Sequence, residues 1–164
     1  MRLALGMREV TEENLHFARQ IGVTDLVVPL PDVGGESYYD FLGLLNLRTR
    51  IEAAGLRLAA IQNIPPHWYD KIRYGLLVRD LQIENYCKTL ANIGKAGIPI
   101  FGYNFHAVRV WRTSRHTRAR GGALVTSYYH EFMVDAPLIG PKEIGEEELW
   151  DNFVYFIQRV MPVA

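Results

Sequence analysis

Short apolar runs alternate along this chain with segments whose apolar positions recur every three or four residues. Runs near residues 3–7, 24–30, 57–62 and 99–105 have the length of strands. Leu26 to Val28 is apolar without interruption, the mark of a strand buried on both faces. Between the runs the period is helical: Leu15, Ala18 and Ile21; then Phe41, Leu44, Leu45, Ile51 and Ala54; then Leu81, Ile83, Tyr86, Cys87, Leu90 and Ile93. Thr11 is a good N-cap, and Glu12 and Glu13 set negative charge in a first turn, where the helix dipole favours it. Gly22, Gly55 and Gly97 close the three helices, and a strand follows each within a few residues. The pattern is βα three times and then a fourth strand. It predicts an α/β fold whose strands are parallel and adjacent in chain order. No GxGxxG follows the first strand, so a dinucleotide-binding reading lacks its main support.

After Phe105 the rhythm breaks. His106 to Gly145 contains no convincing element, and so long a stretch in a compact domain is either a functional loop or a misread one. A last helix begins near Glu146, with Leu149, Trp150, Phe153, Ile157 and Val160 as its apolar face. Four βα units are half of a (β/α)8 barrel, which usually needs about 250 residues. Residues 1–164 therefore read as the N-terminal half of a single barrel domain, with two strand edges left to cover.

Composition narrows the function classes. Hydrophobic residues make up 49% of the chain and charged residues 22%, enough for an ordinary core. A formal net charge of zero argues against a protein built mainly to bind nucleic acid or an anionic membrane. Cys87 is the only cysteine, which excludes an internal disulfide framework and a CxxC metal knuckle, and fits a reducing, cytoplasmic setting. Arg8 and Glu9 interrupt the N-terminus too early for a signal peptide, and no run approaches the roughly 18 apolar residues of a membrane span.

The candidate chemistry gathers at the end of the fourth strand, where Asn104, His106, Arg109, Trp111 and Arg112 follow one another closely. Sites in parallel α/β folds form where strands end and loops begin. Asn104 is the leading candidate, against the plain alternative of a backbone cap. Arg112 can grip a carboxylate with two parallel hydrogen bonds, or be a surface arginine. Trp111 can offer an apolar wall to a ligand or merely pack in the loop. His106 can donate to a hydroxyl or take part in proton transfer, or be structural. His67, just after Pro65-Pro66, is similar. The arginine run from Arg109 to Arg120 has few aromatic neighbours, so a solvated or subunit-contacting loop explains it better than RNA.

Several segments, taken in order, resemble the mannonate dehydratase family. They are Ile51-Glu52-Ala53-Ala54-Gly55-Leu56, Ile64-Pro65 with His67, Ile83-Glu84-Asn85-Tyr86 and Lys95-Ala96-Gly97-Ile98. Tyr103-Asn104-Phe105, Trp111-Arg112-Thr113 and Glu148-Leu149-Trp150-Asp151-Asn152, with Pro162-Val163-Ala164, complete the set. The resemblance implies a xylose-isomerase-like TIM barrel. It implies a lyase that dehydrates D-mannonate to 2-keto-3-deoxy-D-gluconate in glucuronate catabolism. It also implies Mn²⁺ or Fe²⁺, held by histidines, a cysteine and an aspartate on later strands. No metal ligand is therefore assigned here, no catalytic residue is identified, and the chain alone is expected to be inactive. The substrate-binding candidates are Asn104, His106, Trp111, Arg112 and His67, the partner is a small sugar acid, and a homo-oligomer is expected. Many members read Asn-Phe-Met-Pro-Val where this chain has Asn104-Phe105-His106-Ala107-Val108, which leaves the substrate open. Two alternatives stand beside the lyase: a non-catalytic half-barrel that self-associates, and a sugar isomerase or epimerase on the same fold.

Overall fold

The computed structural model describes residues 2–108 and 110–164, so Met1 and the candidate Arg109 lie outside the described residues. Strands β1 (Ala4–Gly6), β2 (Asp25–Pro29), β3 (Arg57–Gln62) and β4 (Ile100–Gly102) form one sheet in the order β1-β2-β3-β4. All three pairings are parallel. Helices α1 (Glu12–Gln20), α2 (Phe41–Ala53) and α4 (Arg79–Lys95) make the crossovers. The predicted alternation is thus present, with shorter strands. The expected fourth strand, 99–105, stops at Gly102 because Tyr103 to Phe105 turn away from the ladder to meet a last helix, α5 (Glu146–Val160).

Local chemistry explains the boundaries. Thr11 Oγ1 accepts a hydrogen bond from the Asn14 amide at 3.2 Å and caps α1. Gly97, after α4, has φ +72°, and its amide donates to the Gly94 carbonyl. The chain reverses there and enters β4 after two residues. Leu26, Val28 and Ile61 of the sheet are fully buried with Leu44 and Ile51 of α2. At the strands' N-terminal end the buried Asp25 carboxylate accepts hydrogen bonds from Thr24 Oγ1 and Arg57 Nε, and Arg2 Nε lies 3.3 Å away.

Several expectations need correction. The stretch 106–145 is not without structure. It carries an antiparallel hairpin, β5 (Ser114–Arg118) with β6 (Leu124–Ser127). The strands are concealed because β5 is wholly polar and the two apolar residues of β6, Leu124 and Val125, are adjacent, so neither shows the apolar alternation of a half-buried strand, and both faces of this hairpin are largely exposed. Gly121 and Gly122, at φ +70° and +79°, make the reversal. The loop from His67 likewise contains a single turn over Pro66–Trp68 and the short helix α3 (Asp70–Arg73). Ile21, Leu81 and Trp150, placed inward by periodicity, are exposed. Helix α5 is turned so that Phe156 and Asn152 are buried instead, Phe156 against Tyr86 at a centroid distance of 4.9 Å.

Candidate active site

Loops that follow β3 and β4 leave the sheet on the same side, because the strands are parallel. Two hydrogen bonds tie these loops together. Arg73 Nη1 donates to the His106 carbonyl at 2.9 Å, and the Tyr74 hydroxyl donates to the Ala107 carbonyl at 2.7 Å. Helix α5 fixes the same corner from behind: the buried Asn152 donates from Nδ2 to the Arg73 carbonyl at 3.2 Å. Arg73 also lies over the Tyr69 ring, 4.6 Å from its centroid.

Between the tied loops is a cleft of about 480 Å³ whose wall includes Asp70, Arg73, Tyr74, Trp111, Arg112 and Arg115. Arg112 is held by two bonds, from Nε to Thr126 Oγ1 and from Nη1 to the Trp111 carbonyl, both at 2.9 Å. The hairpin therefore braces the arginine. The Asp70 carboxyl is held below the usual carboxylate range: burial pushes it up, but hydrogen bonds from Gln82 and Lys71 and the Lys71 charge outweigh that. It remains ionised, and its negative charge is taken up by Lys71 at 3.0 Å.

The five residues singled out from sequence do not all meet in this cleft. Trp111 and Arg112 line it together. His106 contributes its backbone carbonyl as the anchor for Arg73. Asn104 lies with Asn63 beside a small apolar recess under Tyr86 and Phe156. Asn63, at φ +64°, donates its amide to the Gly102 carbonyl, and its side-chain oxygen is buried without a hydrogen-bond partner. His67 is exposed, its ring edge-on to Trp68. Sequence reasoning missed Arg73, Tyr74 and Asp70. They sit in a run of mixed polar and aromatic residues, Tyr69 to Tyr74, and nothing in their spacing tells which one turns inward.

Among the described residues, no group of three or more His, Cys, Asp or Glu side chains stands close enough to hold a metal ion. The residues present do not fit the divalent metal that the resemblance implies. Among the described residues, no helix is long and apolar enough to cross a membrane.

A profile of D-mannonate dehydratase (UxuA) matches residues 5–141. The chain is similar to the mannonate dehydratase of Thermotoga maritima, with 32% identity over 92% of this chain and 50% of the relative. Mannonate dehydratase 2 of Halalkalibacterium halodurans is also 32% identical over the same shares. The crystal structure of mannonate dehydratase from Streptococcus suis serotype 2 superposes with a TM-score of 0.84 and 28% identity, over all of this chain and 50% of that one. The chain thus spans about half the length of the relatives it matches, and its four strands and helices have the (β/α)8 barrel type of fold. From the profile, the relatives and the shared fold, the chain belongs to the mannonate dehydratase family.

Proposed function

We propose that residues 1–164 form the N-terminal half of a single barrel domain. In this reading the domain dehydrates D-mannonate to 2-keto-3-deoxy-D-gluconate in glucuronate breakdown in the cytoplasm. The observation that carries it is the placement of Trp111 and Arg112 in one cleft, fed by loops from the strands' C-terminal ends, in a chain of this family. Strand C-terminal ends are where barrel enzymes hold substrate.

The chemistry divides into two tasks. The proton to be removed lies beside a carboxylate, so its loss makes an enediolate whose charge gathers on oxygen. The other task is grip. Arg112 offers a planar cation for the sugar acid's carboxylate, and Trp111 an apolar wall for its carbons. No residue of this chain is assigned the base or acid. The family's Mn²⁺ or Fe²⁺ is proposed to belong to the half of the relatives that this chain does not match.

A chimera tests the reading. This chain is joined to the second half of the Thermotoga maritima relative, checked for folding by circular dichroism, and assayed on D-mannonate with Mn²⁺. Turnover that falls at least about a hundredfold in Arg112→Ala, roughly 3 kcal/mol of transition-state binding, supports it. A folded chimera without turnover counts against it.

A second reading has its own support. β1 and β4 each pair on one side only, and Phe132 and Val134 beyond the hairpin are 76% and 67% exposed. Unpaired edges and exposed apolar residues favour association with another half-barrel, including a second copy.

A further inference from the structure

We propose that the cleft between the β3 and β4 loops is an anion site in which Arg73, Arg112 and Arg115 hold one carboxylate, and that Arg73 makes it select charged polyols over neutral ones. The proposal rests on the lyase reading above and goes beyond it by assigning the selecting residue.

Charge accounting leads there. Arg73 is only 7% exposed, and its Nε is buried with no hydrogen-bond partner. Its identified contacts are the His106 carbonyl and the Tyr69 ring, both neutral. Among the described residues it forms no ion pair. A guanidinium withdrawn from water without a counter-charge is costly, and an arginine kept in that state marks a place for an anion. Asp70 on the same wall does not serve, because Lys71 and Gln82 already engage its carboxylate. Arg112 and Arg115 add two further cations to the wall, and neither is paired with a carboxylate among the described residues. The cleft's volume of about 480 Å³ falls in the range of small-molecule sites, so the anion is one group on a small molecule.

Selection follows from the same burial. A partly desolvated cation gains much from an ionised carboxylate and little from a hydroxyl, so a polyol lacking the carboxylate leaves Arg73 uncompensated.

Isothermal titration on residues 1–164 provides the test, with D-gluconate, its neutral counterpart D-glucitol, and inorganic phosphate as probes. Gluconate is expected to bind at least tenfold more tightly than glucitol. Arg73→Gln and Arg115→Gln should each weaken gluconate binding at least tenfold and narrow its preference over glucitol. Arg115 is exposed, so its variant keeps the test valid if Arg73→Gln fails to fold. Equal binding of gluconate and glucitol overturns the proposal, as does wild-type gluconate affinity in a folded variant. Phosphate binding as tightly as gluconate overturns the carboxylate assignment. Turnover by the chimera without gluconate selectivity here removes the anion site and leaves the lyase reading, whereas selective gluconate binding with an inert folded chimera does the reverse.

Discussion

Arg73 and His106 lie thirty-three positions apart, and the Arg73 guanidinium donates to the His106 carbonyl at 2.9 Å. The bond crosses from the loop after β3 to the loop after β4 and ties them together at the cleft wall. A buried charge here supports loop geometry, and the same charge faces the space where a ligand would sit.

The companion bond gives a first prediction. Tyr74→Phe removes the hydroxyl that donates to the Ala107 carbonyl at 2.7 Å and leaves the ring in its buried place. The expected loss is about 1 kcal/mol, read as a lower urea midpoint with an unchanged slope. An unchanged midpoint would mean that solvent replaces the bond freely.

Acid should loosen the opposite end of the sheet. The Thr24 hydroxyl, with Arg57 and Arg2, holds the Asp25 carboxyl below its ordinary value, outweighing burial. A depressed carboxylate contributes stability that is present above its unfolded pKa of about 4 and is lost as pH falls through the lower folded value. Thermal melts of the wild type should therefore drop below pH 4 more steeply than those of Asp25→Asn. Parallel profiles would remove Asp25 from the acid response.

Gly43 lies inside α2, where alanine ordinarily helps a helix. Here a Cβ would stand 1.7 Å from the Val33 carbonyl oxygen. Gly43→Ala should therefore destabilise by roughly 1–3 kcal/mol, the usual cost of overpacking, instead of gaining stability. Thermal denaturation decides the sign.

Thr89 is fully buried on α4, and its hydroxyl accepts a hydrogen bond from the Tyr39 amide at 3.2 Å. Thr89→Val preserves the shape and leaves that amide unsatisfied, at a cost of about 1–3 kcal/mol. Faster hydrogen exchange at the Tyr39 amide is the specific readout. Equal destabilisation with an unchanged exchange rate would point to packing instead.

The sequence by itself determined the βα alternation, because strand and helix periods are local and each of the three crossover helices is followed by a glycine able to reverse the chain. It also carried the family resemblance, which the matched residues 5–141 and the shared fold bear out. It placed Trp111 and Arg112 in the loop after the fourth strand, and the structure sets both on the cleft wall. Only tertiary structure decided the remainder of that wall. Arg73 is one cation among Lys71, Arg73 and Arg79 in sequence, and it becomes the buried one because Asn152, Tyr69 and His106 converge on it from three other positions in the chain. The β5–β6 hairpin was equally hidden. β5 has no apolar residue, and the only two in β6, Leu124 and Val125, are adjacent and exposed, so the pairing leaves no hydrophobic period to read. Periodicity reports which face of an element meets a core, and it carries no signal for an exposed hairpin or for one guanidinium drawn inward by distant neighbours.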